Sequence, residues 1–403
     1  MFAALLICSL AFSPVDPESK STIEGMLRSD ARFSKILENA EQHRLQILLS
    51  LVDETSSPPR LERDGFRVDA EYFYPASSIK TCAAVSALLS AAEWKAKGLE
   101  ISLDTPLTYL PLFDGDETLM SDPSNLEGGT ITLRHEIRKL FLVSDNDAFN
   151  RMYEFTGHRE IHQALWNAGL KSIRINHRLS RSRSLAENRR TPSIQVGTGK
   201  GSFSVQQRDS DLLLANNDQK GVAVGKGVLS GTKVVDGPML FDTKNRISLT
   251  DLQDMHVMIL RPEIDLGKPG LPLAPDHRAF LKDTMSEYAA DSKNPKYDGE
   301  HAADDYVRFI LRGLMRVAPK GEWTIYDKVG LAYGFTIENA YVVHRPTGKS
   351  FFLTATIYTN QDGILNDDRY DYDSIAFPFW KDLGEVIARH VLALPSPTPE
   401  KSR

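Results

Sequence analysis

Apolar and polar positions alternate twice near the start of the chain, at Leu45, Ile47, Leu49 and Leu51 and again at Phe66, Val68, Ala70 and Tyr72. A period of two turns one face of each segment inward. The turn residues Ser56-Ser57-Pro58-Pro59 lie between the two runs, so the pattern predicts two half-buried strands joined by a turn. Residues 23–40, just before them, have the mixed spacing of an amphipathic helix. Three more strands are predicted in the last third, at Trp323–Tyr326, Ala340–Val343 and Phe351–Tyr358. Phe379, Leu383, Val386 and Ile387 then share one face of a closing helix.

Between these ends the period changes. Pro75 stops the second strand, and Ala83, Ala84, Ala87, Leu88 and Ala91 form a small-residue helix face suited to close packing. Residues 100–130 carry Pro106, Pro111, Pro123 and Gly128-Gly129 and read as loop. Thr132 is placed to cap a helix running to about Val143, and a second helix runs from about Asp147 to a stop at Gly157. Ser248 or Thr250 starts another through Met258. Residues 177–245 are rich in Arg, Ser and Gly and define no clear element. Strands at both ends with helices between them predict an α/β (α+β) architecture. One antiparallel sheet is built from the N- and C-terminal strands with flanking helices, and an all-helical subdomain is inserted. The expected division is an α/β part at 21–75 and 263–395 and a helical part at 76–262.

The 403 residues are 41% hydrophobic and 25% charged, the balance of a globular chain, and the net charge of −6 gives no basic surface for nucleic acid. The run Phe2–Phe12 has the length of a signal-peptide core and ends near the small-residue site Ser9-Leu10-Ala11, so residues 1–20 are expected to direct export to the periplasm or exterior. No other stretch is long and apolar enough to span a bilayer. Residues 396–403 are expected to be a loose tail. Of the two cysteines, Cys8 lies in the export segment, which leaves Cys82 as a small buried hydrophobe without a disulfide.

Three short motifs carry candidate chemistry. Ser77-Ser78-Ile79-Lys80 begins a helix, and i, i+3 spacing puts Ser77 and Lys80 on one face. A hydroxyl needs a base before it attacks, and a desolvated lysine can be neutral enough to act as one. Ser144-Asp145-Asn146 falls in the break between two helices. A hydroxyl at Ser144 can pass a proton, and the Asn146 amide can hold a carbonyl. Either residue also suits a simple capping turn. Lys328-Val329-Gly330 closes a strand. Lys328 can draw an acid group, Gly330 allows close backbone approach, and the Leu331 N–H can join that of Ser77 as an oxyanion hole.

In this order the motifs resemble the class A β-lactamase and penicillin-binding protein family, over about residues 22–393. The resemblance implies a serine-bound acyl intermediate. Ser77 would be the nucleophile, Lys80 the base, Ser144 the proton shuttle, Asn146 the substrate holder and Lys328 the electrostatic anchor, with no cofactor or metal. The substrate would be a small β-lactam or a peptidoglycan-derived amide or ester, and the protein would act as a monomer. Alternatives on the same scaffold are a D-alanyl peptidase or esterase and a non-catalytic penicillin sensor. Two departures stand out. Val329 and Leu331 supply no hydroxyl where the third motif normally has one. The loop glutamate that frees the acyl group in class A enzymes has no obvious counterpart: an arginine falls near its place in His177–Arg183, and Glu187 is the nearest acid.

Other features are weaker. The arginines at 178, 181, 183, 189 and 190 can grip an anion or form a solvated loop. His158 and His162 lack the zinc-protease order, Gly197–Ser202 lacks phosphate-loop spacing, and Asp367–Asp373 lacks EF-hand spacing and reads as a charged surface loop.

Overall fold

The computed structural model describes residues 22–124 and 128–395. The expected export segment and tail lie outside this range.

One mixed layer dominates. Its sheet has strands β1 (Gln46–Asp53), β2 (Arg60–Phe66), β3 (Trp323–Asp327), β4 (Gly330–Ala332), β5 (Phe335–His344) and β6 (Ser350–Tyr358). The order is β3-β5-β6-β1-β2, with β4 also paired to β5, and every pairing is antiparallel. The architecture is therefore the α+β one expected, a sheet assembled from both ends of the chain. Alternation along β6 divides its side chains between two cores. Phe351, Leu353, Ala355 and Ile357 face the terminal helix, and Phe352 and Tyr358 face the helical side. Because both faces are covered, β6 reads as a nearly continuous apolar run.

The second expected strand lies earlier than its pattern suggested. Arg67 and Asp69 take left-handed φ of 51° and 55°, which turns the chain out of the sheet after Phe66. The paired segment 60–66 is an exposed edge with mostly polar residues, so alternation did not mark it. The helix expected over 23–40 is broken into Thr22–Arg28 and Ser34–Glu38. Between them the Asp30 carboxylate accepts from the Arg32 N–H at 3.0 Å and starts a separate short turn.

Helices α1 (Lys80–Ala96), α2 (Leu133–Leu142), α3 (Asn146–Thr156) and α4 (His158–Asn167) pack together, with the alanine face of α1 at the centre. Cys82 is buried and free there. The Thr132 hydroxyl caps α2 by accepting from the His135 N–H, an interaction worth about 1 kcal/mol. Helix α5 (Leu249–Leu260), capped by Ser248, lies on the sheet. Its Gln253 amide donates to Leu48 O at 2.9 Å and to Thr354 Oγ1 at 3.2 Å. The sheet-covering layer thus reaches back to Ser248, earlier than the division expected at residue 263. Helix α6 (Pro275–Ser286), unmarked by the sequence pattern, starts on proline and packs against β3 and α2. Helix α7 (Phe377–Leu392) covers the other face with Phe379, Leu383 and Ile387. Residues 190–240 form short two- and three-stranded pieces beside this frame.

Candidate active site

The site lies where the sheet edge meets the start of α1. Ser77 sits in a 3-10 turn, Ala76–Ile79, whose last bond runs from the Lys80 N–H to Ser77 O. Ala76 takes a left-handed φ of 47°, a conformation that costs a non-glycine residue about 1–2 kcal/mol. The Ser78 hydroxyl donates to Pro75 O at 2.7 Å and is fully buried, so it closes the turn while Ser77 opens to a cavity. Helix α1 follows at once and carries Lys80 into the interior.

Edge strand β3 ends at Asp327 and β4 begins at Gly330, so Lys328 and Val329 occupy the break between them. The Lys328 N–H still reaches Asn339 O at 3.0 Å, which keeps the break registered on β5. A Cβ on Gly330 would overlap Pro75 O and lie 3.0 Å from Ser78 N. Only glycine lets β4 lie this close to the Ser77 turn.

The third piece is the junction of α2 and α3. Ser144 takes a left-handed φ of 57°, and Asp145 caps α3 by accepting from the Ala148 N–H at 2.7 Å. The turn therefore acts as a cap, as its residue types suited, and it also holds Ser144 toward two lysines. Lys80 Nζ donates to Ser144 O and lies 3.2 Å from its Oγ. Lys328 Nζ lies 2.8 Å from the same Oγ and 3.0 Å from Val329 O. Both lysines are almost fully buried. Burial, and then the charge of Lys328, hold the Lys80 pKa well below the usual lysine value. Burial brings Lys328 down to about 7, against the opposing pull of Asp327 and Glu338.

Residues that sequence reasoning missed support this corner. Behind the Ser144 turn, Lys139 pairs with Asp122 at 2.8 Å, and Arg151 pairs with Asp122 at 2.5 Å and Glu136 at 2.9 Å, all within the interior. Glu136 and Lys139 are buried with Leu133, Ile137 and Leu140 on the inward side of their helix, and charged residues at such apolar-spaced positions were the available signal. Beneath Lys328, Asp327 lies 3.5 Å from Arg308 Nε, and burial pushes its carboxyl up. Asp327 follows Trp323 and Ile325 at the inward positions of β3, so its burial was legible in the alternation.

Two cavities meet at this site, and Ser77, Asn146 and Leu331 line both. The first, of about 690 Å³, adds Ser144 and Val329, with Arg312 and Lys381 farther along its wall. The second, of about 460 Å³, runs toward the loop after α4 and adds Ser180, several tyrosines and Asp368. Asn146 Nδ2 donates to Ser180 Oγ at 2.8 Å. Ser180, with Leu179 beside it, and not an arginine, is thus what the loop presents to the site.

Glu187 is not brought there. It lines neither cavity, and its carboxylate accepts from the Ser184 N–H at 2.7 Å in a capping box. That bond lowers its pKa. The preference for a glutamate at the third position of a helix opening explains the residue without catalysis. The neighbouring arginines are engaged elsewhere. Arg178 is buried against Glu154 at 2.7 Å, Arg181 pairs with Asp147 at 2.8 Å, and Arg183 pairs with Asp116 at 3.2 Å. His158 Nδ1 bonds to Ser210 Oγ at 2.8 Å, and His162 Nε2 accepts from the Ile175 N–H at 2.9 Å.

The sheet built from both chain ends and its helical layer form a β-lactamase/transpeptidase-like fold, and the site sets a serine on a helix-opening turn beside a buried lysine pair around one hydroxyl. Residues 62–202, which carry Ser77, Lys80, Ser144 and Asn146, match the profile of the beta-lactamase enzyme family. The chain is similar to the serine β-lactamases and penicillin-binding proteins, as its motifs indicated. Among solved structures, a β-lactamase from Desulfarculus baarsii is 16% identical, with a TM-score of 0.52, over 91% of this chain and 98% of its own. A β-lactamase from Burkholderia vietnamiensis is 16% identical, with a TM-score of 0.48, over 90% and 97%. A PBP-A variant bound to penicillin G is 13% identical, with a TM-score of 0.49, over 92% and 97%. The shared fold rests on the first of these. No curated protein matches the sequence. Among the described residues no helix is long and apolar enough to cross a membrane.

Proposed function

We propose that this protein is a β-lactamase-like serine hydrolase that opens a β-lactam or related amide or ester through an acyl intermediate on Ser77. Neutral Lys80 takes the Ser77 proton as Oγ bonds to the substrate carbonyl carbon. The carbonyl C–N or C–O bond then breaks, and the leaving group receives a proton through Ser144, which Lys328 polarises. The Ser77 and Leu331 N–H groups hold the oxyanion, and Asn146 orients the acyl carbonyl. Water later cleaves the Ser77 ester and restores the hydroxyl. The observation that carries this reading is the shared contact of Lys80 and Lys328 with Ser144 Oγ, at 3.2 and 2.8 Å, beside the cavity that Ser77 lines. Two buried cations facing each other across one hydroxyl favour loss of a proton, and this leaves a base next to an acid.

Ser180 favours a slow second step. A hydroxyl is a poor base near neutral pH, so the loop does not supply the carboxylate that would activate water. The acyl-enzyme would then be long-lived, as in a penicillin-binding peptidase. The N-terminal apolar run supports action outside the cytoplasm. The test is labelling with a fluorescent penicillin and a chromogenic ester, read by intact mass. Wild type should gain one adduct that Ser77→Ala does not form. Equal labelling of Ser77→Ala would refute the assignment.

A further inference from the structure

The smaller of the two cavities has a wall that the proposed acyl chemistry does not use. Tyr74, Tyr333, Tyr370 and Tyr372 line it together with Asp368. No lysine, arginine or histidine is among its lining residues. The rings are fixed. Tyr74 and Tyr333 meet edge to face with centroids 5.3 Å apart, and Tyr370 and Tyr372 are also 5.3 Å apart. The Tyr372 hydroxyl accepts from the Gly334 N–H at 2.9 Å, and the Tyr370 hydroxyl accepts from the Asn366 N–H at 3.1 Å. Asp368 is exposed and, among the described residues, forms no ion pair. Its charge is felt at the hydroxyls of Tyr333, Tyr370 and Tyr372. The larger cavity carries both signs, with Glu300, Asp305 and Asp373 beside Arg312 and Lys381 on its wall.

Tyrosine faces carry negative potential and attract cations, and a carboxylate at the rim adds to that field. From the tyrosine wall and Asp368 beside Ser77, we infer that this cavity takes an ammonium carried on the acyl half of the substrate. This rests on the proposed acylation of Ser77 and names the substrate class: amides or esters whose acyl side chain ends in a primary amine. The segment Asp367–Asp373, which read as a charged surface loop, thereby becomes a specificity element through Asp368, Tyr370 and Tyr372.

The experiment uses two esters with one leaving group, an Nα-acetyl-lysyl ester and its Nα,Nε-diacetyl counterpart, with the full-length protein. Acylation of Ser77 should favour the charged ester about five- to tenfold, the scale of an exposed cation–aromatic contact plus one partly screened charge. In Asp368→Asn that preference should fall toward unity, and Asp368→Glu should restore part of it. The corresponding amides, titrated onto Ser77→Ala by calorimetry, should show the same preference without any chemistry. That arm decides the matter even if neither ester acylates, in which case only the Ser77 mechanism is lost. Equal binding of the two amides would overturn the inference. So would Asp368→Asn slowing release of both acyl groups alike, since Asp368 would then act on water and not on an ammonium.

Discussion

On one side of Ser77, two buried lysines converge on a single hydroxyl, and a rigid turn and an interior charge network hold that hydroxyl in place. On the other side, the loop that crosses Asn146 offers the Ser180 hydroxyl, and its nearby acid is spent on capping a four-residue helix. The first region holds groups whose burial shifts them toward acid–base work. The second has ordinary surface chemistry. Under the proposed mechanism, the difference makes forming and breaking an acyl-enzyme separable demands on one cleft. A fold can keep the apparatus for the first step while its loop supplies no base for the second.

The largest effect should come from the lysine side. Lys80→Ala removes the proposed base and leaves Lys328 facing Ser144 alone, and acylation should slow about 10²–10⁴-fold, the range for loss of a positioned general base. Stopped-flow labelling checks this. A change under threefold would show that the lysine pair is structural only. On the loop side, Ser180→Glu places a carboxylate against Asn146. It should shorten the acyl-enzyme lifetime by about tenfold or more, on the low side of general-base contributions because the water is not otherwise held. Time-resolved intact mass reads the lifetime, and an unchanged value would show that something other than Ser180 limits release.

The pH profile sharpens the same contrast. Lys328 carries its proton below about 7 and loses it above, and burial holds the Lys80 pKa well below the usual lysine value. Acylation should therefore fall as pH rises through about 7, when the donor behind Ser144 is lost. It should also fall at low pH, when Lys80 becomes protonated. Lys328→Arg keeps its charge, so the alkaline limb should disappear even if the rate drops. A limb that persists in this variant belongs to another group. The smallest effect is expected from Glu187→Gln. The amide keeps the shape of the cap, and neither acylation nor release should change more than about twofold, well short of a general base. Slowed release in this variant would return Glu187 to the site.

Much of the frame was legible because alternation and caps are local. β3, β5 and β6, the Thr132 and Ser248 caps and the stop at Gly157 follow from neighbours within a few residues. The misplacement of β2 has the opposite cause. Its polar edge carries no hydrophobic period, and left-handed Arg67 and Asp69 divert the more regular run that follows. At the site, the three motifs marked residues that the fold brings together. Ser180 escaped notice because a serine among arginines looks like loop filler, and only its bond to Asn146 distinguishes it. Glu187 misled for the complementary reason: an acid in the right stretch can serve a helix end. The tyrosine wall could not be read at all, since Tyr74, Tyr333 and Tyr370 come from three distant segments.

The central claim is a cleft equipped to acylate quickly and to release slowly. Mixing the protein with one equivalent of a penicillin and following intact mass over time tests it most directly. The expected result is a Ser77 adduct that forms within seconds and persists for many minutes. Free enzyme throughout, with the penicillin fully hydrolysed, would contradict the slow-release half, and intact penicillin with no adduct would contradict the acylating half.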